Sequence, residues 1–170
     1  MQNVSFFGYV HKIVRLWKEA DRSYIPAEAE LNIEGRIKMK IKKTNSEWQA
    51  ELAPEAYRVT RKGATERAFS HPYAMAKEAG VYHCICCDAP LFASGAKYDS
   101  GSGWPSYYAP VSENAVSEHA DRQLPGVRTE VRCADCGAHL GHVFDDGPEP
   151  TNLRYCINGT ALDLKIEGER

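Results

Sequence analysis

From Asn45 onward the apolar residues fall into a regular order. A capping residue is followed by Trp48 and Leu52 at i, i+4 spacing, which predicts a short helix, and Pro54 then opens a second that should stop at Gly63. Between Ser70, Pro72 and Gly80 an alanine-rich stretch predicts one more marginal helical turn. After Gly80 the texture changes to short apolar or alternating runs: Val81-Tyr82-His83, Ala115 to His119, Val127 to Val131 and Leu162 to Ile166. The connections between them carry Asp-Ser-Gly-Ser-Gly, Pro-Gly and Asp-Asp-Gly-Pro, which suit tight turns and leave no room for βαβ crossovers. The expected fold is therefore mainly β, an antiparallel core with short helices at its front.

Residues 1–38 read differently, with a short amphipathic helix expected around Val10 to Trp17 and then an irregular acidic stretch. Ile33-Glu34-Gly35-Arg36 matches a protease recognition site used to remove fusion partners. On that reading the biological chain begins near Met39, and residues 39–170 form the one functional domain. Its length suits a single core.

Composition narrows the function classes. Hydrophobic residues make 43% and charged residues 26% of the 170, ordinary globular usage that argues against disorder. A formal net charge of −2 supplies no broad basic field, so neither nucleic acid nor an anionic membrane is expected as a partner. No apolar run approaches the roughly 20 residues that span a bilayer, and the apolar Phe6 to Val10 stretch is broken by His11 and Lys12 before a signal core is complete. A reducing cytoplasm is expected, where paired cysteines more often hold metal or do chemistry than form structural disulfides.

Six cysteines carry the chemical signal. Cys84 and Cys87 form one C-x-x-C pair, and Cys133 and Cys136 another, the arrangement of a tetrahedral zinc site. An internal repeat strengthens it, since Cys-Ile-Cys-Cys-Asp-Ala-Pro-Leu at 84–91 aligns with Cys-Ala-Asp-Cys-Gly-Ala-His-Leu at 133–140 and selects Cys84 over Cys86. Four protein thiolates leave no open position, so one ion is expected in a structural role, stapling distant hairpins. Iron suits the same donors, and two redox pairs or four small buried hydrophobes are the competing readings.

Two cysteines remain. Cys156 lies in Arg154-Tyr155-Cys156-Ile157-Asn158, where strand alternation puts Arg154, Cys156 and Asn158 on one face. An adjacent arginine favours thiolate, making Cys156 a candidate nucleophile, although a buried inert cysteine is the commoner case. His139 and His142 supply imidazoles for acid–base work or substrate contact, a reading favoured over metal ligation because four cysteines already complete a site. Trp104, in a glycine-rich turn, offers a flat apolar wall.

Together, Cys-x-x-Cys, Tyr-Asp-Ser-Gly-x-Gly-Trp-Pro-Ser at 98–106, Cys-x-x-Cys-Gly-Ala-His-Leu-Gly-His-Val-Phe at 133–144 and Arg-Tyr-Cys-Ile-Asn at 154–158 closely resemble the peptide-methionine (R)-S-oxide reductases. The likeness runs in order from about Ser46 to Leu164. It implies two small antiparallel sheets stapled by zinc at Cys84, Cys87, Cys133 and Cys136, and a monomer acting on oxidised proteins or peptides. By the same resemblance Cys156 attacks the sulfoxide sulfur and becomes a sulfenic acid, His142 with His139 beside it supplies the proton, and Asn158 orients the sulfoxide. Trp104 would pack against the S-methyl group, with Arg154 and Asp146 supporting the site. Many members of that family carry a cysteine at the place of Ser102, which captures the sulfenic acid as a disulfide. Ser102 cannot, so direct reduction by thioredoxin or a small thiol is expected, with Cys86 the alternative resolving thiol. The competing class is a zinc-ribbon-like binding module whose histidines and aromatics form a partner surface.

Overall fold

The computed structural model describes residues 41–121, 128–166 and 168. By its contacts the chain divides into residues 1–36 and 37–170, and the described residues all belong to the second unit. The helix expected near Val10 to Trp17 and the start of the run at Val127 lie outside the described residues.

Two helices open the unit. Helix α1 (Asn45–Glu51) is capped one residue earlier than its first polar residue suggests: Thr44 and Glu47 form a reciprocal capping box that satisfies two free backbone donors. Helix α2 (Pro54–Lys62) begins on Pro54 and ends at Gly63, whose φ of +68° is the left-handed stop glycine tolerates. The stretch between Ser70 and Gly80 holds a single 3-10 turn, Pro72–Ala74, because too few consecutive residues are available to propagate a helix.

Nine strands follow among the described residues, every pairing antiparallel. Strands β1 (Gly80–Cys84), β2 (Pro90–Ala93) and β9 (Leu162–Ile166) form a three-stranded sheet in the order β2-β1-β9. The larger sheet runs β3-β4-β8-β7-β6-β5, from β3 (Lys97–Tyr98) and β4 (Ser106–Tyr107) through β8 (Arg154–Ile157) and β7 (His139–Phe144) to β6 (Arg128–Cys133) and β5 (Val116–Asp121). The mainly β expectation, with two antiparallel sheets and short helices in front, holds.

Trp48, Val59, Tyr82, Leu91, Phe92 and Tyr107 are buried in one core fed by both helices and both sheets. Phe92 of the small sheet stacks on Tyr107 of the large one, ring centroids 4.5 Å apart, adding a directional contact to the area they bury. On β8 the burial alternates, with Tyr155 and Ile157 inside and Arg154 and Cys156 on the opposite face, as a period of two requires. That alternation presents the Cys156 thiol outward from the core while its neighbours anchor the strand.

Candidate metal centre and active site

The repeated cysteine motifs fold alike. Cys84 N–H donates to the Ala89 carbonyl and Asp88 N–H to the Cys84 carbonyl, while Cys133 N–H donates to Ala138 and Gly137 N–H to Cys133. The fifth residue of each motif, Asp88 or Gly137, turns at positive φ, 61° and 69°. Each is a hairpin knuckle, β1 to β2 in one sheet and β6 to β7 in the other. The knuckles meet: the sulfur atoms of Cys84, Cys87, Cys133 and Cys136 all lie within 4.8 Å of one another.

The donor set fits a metal. Tetrahedral Zn–S bonds of about 2.3 Å place sulfurs about 3.8 Å apart, and Cys84 to Cys136 is 3.8 Å and Cys87 to Cys133 is 3.6 Å. Left to themselves the thiols share protons: S–H donation from Cys136 and Cys84 holds Cys133 far below the thiol range, whereas Cys84 and Cys136 are driven far above it. All four can ionise together only around a cation. Cys86 does not belong to this set of four, and lines a cavity with Trp48 and Lys43 that Cys84 and Cys87 also border.

A second site lies on the large sheet. Register places Cys156 of β8 directly opposite His142 of β7 and Ser106 of β4, so one row across the sheet holds a hydroxyl, a thiol and an imidazole. Close approach of these strands depends on Gly141, where a β-carbon would sit 2.1 Å from the Cys156 carbonyl oxygen. A cavity of about 150 Å³ opens over the row, with Cys156, His142, Trp104 and Asn158 in its lining. That equals roughly five liquid-water volumes, room for one side chain rather than a large ligand.

Each wall is fixed by its own contacts. His142 Nε2 lies 2.9 Å from an Asp121 carboxylate oxygen, which also accepts from Arg128 at 3.0 Å. Trp104 Nε1 donates to the Glu66 carbonyl at 3.2 Å, and Glu66 N–H donates to Asn158 Oδ1 at 3.0 Å. Asn158 Nδ2 donates to the Leu140 carbonyl, so this buried amide ties α2's following loop to β7. The Glu66 carboxylate, itself buried, accepts from the backbone N–H groups of Gly159 and Thr160 and from the Thr160 hydroxyl. One residue thus holds the indole, the amide and the turn after β8.

Of the residues singled out from sequence, Cys156, His142, Trp104 and Asn158 converge on the cavity, whereas His139, Arg154 and Asp146 are absent from its lining. His139 is buried, its Nδ1 2.6 Å from Glu130 and its ring 5.6 Å from that of His142. Burial pushes its pKa down despite Glu130. Arg154 makes a two-pronged ion pair with Asp146, both bonds 2.8 Å, and its guanidinium stacks over Phe144 at 4.5 Å. Asn158 follows the strand instead of ending it, β8 closing at Ile157.

Arg154 does favour the Cys156 thiolate, as its place beside it in the sequence implies, but it is not the largest influence. Burial, the largest influence, pushes the Cys156 thiol above its ordinary range; the Ser102 hydroxyl and Arg154 pull it down, and Asp146 adds a smaller upward push. Sequence reasoning also missed Thr65, Glu66, Asp121 and Arg128. The last two face each other across β5 and β6 and depend on strand register, which no local motif reveals.

Two antiparallel sheets meet at a four-cysteine knuckle whose spacing suits a metal ion, and apart from it a lone thiol lines a cavity opposite a histidine. The SelR domain model matches residues 52–166. The chain is 60% identical over 125 residues to the peptide methionine sulfoxide reductase MsrB of Pseudomonas fluorescens (strain Pf0-1), covering 74% of this chain and 95% of that protein. It is 59% identical over 126 residues to the MsrB of Pseudomonas putida (strain W619), with 74% and 95% covered, and 55% identical over 128 residues to that of Acinetobacter baumannii (strain AYE), with 75% and 92% covered. The chain belongs to the SelR domain family, that of the methionine-R-sulfoxide reductases.

Proposed function

We propose that the protein reduces methionine R-sulfoxide in proteins and peptides by covalent catalysis at Cys156. The carrying observation is the convergence of the Cys156 thiol, His142, Trp104 and Asn158 on one cavity of about 150 Å³. The Cys156 sulfur attacks the sulfoxide sulfur, the oxygen passes to cysteine, and methionine leaves. A thiol and a sulfoxide give a sulfenic acid and a thioether with no external proton, so the step balances with the Cys156 thiol as the only co-reactant. His142, its ring anchored to Asp121, relays that proton to the oxygen as negative charge develops there, a role worth about 10²–10⁴-fold in rate. Trp104 receives the S-methyl group while the Asn158 amide and its neighbours form the polar side, a two-sided wall that tells sulfoxide epimers apart. His139 and the Arg154–Asp146 pair act from behind the lining, by holding Glu130 and by setting the field at the thiol.

Two reduced thiols from thioredoxin or a small thiol return the sulfenic acid to thiol, with release of water and a disulfide. The metal is zinc, one ion in a structural role held by Cys84, Cys87, Cys133 and Cys136, and the working unit is a cytoplasmic monomer. Among the described residues no helix is long and apolar enough to cross a membrane.

The test is a racemic methionine sulfoxide peptide with dithiothreitol, R and S consumption resolved, on wild type and Cys156→Ser, with zinc measured on both. Loss of R-sulfoxide turnover with zinc retained is expected. A fully active variant would reject the nucleophile.

A further inference from the structure

A segment that the chemistry above does not use runs beside the cavity. Residues 65–69 lie along 103–104: the Glu66 carbonyl accepts from the Trp104 indole, and three residues later Phe69 N–H donates to the Gly103 carbonyl at 2.7 Å. Thr65 lines the cavity, so the segment leads from the substrate wall outward. At its end Phe69 is 67% exposed, the highest value among the exposed large hydrophobic residues described.

Its backbone is the second anomaly. Phe69 has φ +61°, the left-handed region, at the third position of the turn closed by Ser70 N–H to the Arg67 carbonyl. Glycine or asparagine ordinarily takes such a place, and a bulky aromatic there is an outlier that folding alone disfavours. The ring is held as well as exposed. A β-carbon at Gly103, itself at φ +86°, would fall 2.8 Å from two Phe69 ring carbons, so the ring lies against a glycine that leaves it room. An exposed aromatic fixed by its turn and by the residue preceding Trp104 loses little freedom on contact with a ligand.

We propose that Phe69 is a subsite for an apolar side chain flanking the methionine sulfoxide in the substrate polypeptide. The inference rests on the reductase reading and names the substrate chemistry of the same site. With the sulfoxide side chain against Trp104, the substrate main chain leaves the cavity beside Gly103, and a neighbouring residue meets the outer ring. Backbone strain at an exposed position beside the catalytic cavity is where ligand clamps are found.

The test measures kcat/KM, with dithiothreitol as reductant, for three blocked tripeptide R-sulfoxides: Gly-Met(O)-Gly, Leu-Met(O)-Gly and Gly-Met(O)-Leu. One leucine peptide should exceed the glycine peptide by about tenfold in the wild type, the scale of one apolar contact in a specificity pocket. Phe69→Ala should erase that ratio and Phe69→Tyr should keep it. The ratio is internal to each variant, so a general loss of activity leaves it readable. Equal kcat/KM for the three peptides in the wild type, or a ratio untouched by Phe69→Ala, overturns the subsite while the reductase reading stands. Turnover of none of them by the wild type overturns both.

Discussion

The Ser102 hydroxyl lies 3.9 Å from the Cys156 thiol, at the end of a hydroxyl chain running from Ser106 through Ser100. A sulfur at position 102 would start within about 2 Å of the 2.05 Å bond length of a disulfide. Ser102→Cys should therefore trap the oxidised intermediate internally. After one turnover without reductant, thiol counting and peptide mapping are expected to find a 102–156 disulfide in the variant and none in the wild type. A Cys86–Cys156 disulfide in the wild type would show that the chain resolves its own intermediate.

Thiolate supply at Cys156 gives a pH prediction with a definite sign. Burial holds the thiol pKa above its ordinary range, so the thiolate fraction, and with it the rate of alkylation at Cys156 by iodoacetamide, should still be climbing above pH 9. Arg154 lowers that pKa and Asp146 raises it. Arg154→Met should move the alkylation profile to higher pH and Asp146→Asn to lower pH, and the neutral-pH rate should change in proportion to the acid constant, about tenfold for every 1.4 kcal/mol of altered charge interaction. Site-resolved mass spectrometry separates Cys156 from the other cysteines. Profiles displaced in the same direction in both variants would show that the pair acts only by holding the strand.

How much of this was legible in the sequence depends on the range of the signal. The C-x-x-C repeat announced two like hairpins because metal ligation is local within each motif, and the alternation around Cys156 announced its face because a strand has period two. Two-residue strands such as Ser106–Tyr107 were not readable, since their pairing comes from Cys156 and Tyr155 some fifty residues later. The same holds for the partners of His142. Asp121 reaches it across β6, and nothing within a few residues of either encodes that meeting. The direction of the thiol's pKa shift turned on burial, which adjacency in sequence does not supply.

The four-cysteine knuckle joins β1 of the small sheet to β6 of the large one through Cys84 and Cys133. Elemental analysis is expected to give one zinc per chain. Removing a ligand removes a link between sheets whose structural counterparts contribute about 10–16 kcal/mol in finger peptides. Cys136→Ser should lose the metal and cooperative thermal unfolding together, and a strong chelator should do the same to the wild type. Cys86→Ser should retain the metal, because Cys86 lies outside the four-sulfur set.

Glu66 makes the most separable prediction about the cavity walls. Its buried carboxylate meets only donors, the N–H groups of Gly159 and Thr160 and the Thr160 hydroxyl, so an amide there would turn an NH₂ toward a donor. Glu66→Gln should cost about 1–3 kcal/mol in denaturant unfolding, the penalty of an unsatisfied buried group. Glu66→Ala should cost more, because it abandons all three donors. The effect on turnover should exceed what unfolding explains: Trp104 hangs on the Glu66 carbonyl and Asn158 on its N–H, so a shifted loop displaces the apolar and polar walls together. Under conditions where Glu66→Gln remains folded, kcat/KM for the R-sulfoxide is expected to fall at least about tenfold, as small misplacements of a substrate wall allow. Free Cys156 should still alkylate at near the wild-type rate, because its own neighbours, Ser102 and Arg154, are not held by Glu66. An unchanged kcat/KM in a destabilised variant would restrict Glu66 to the fold.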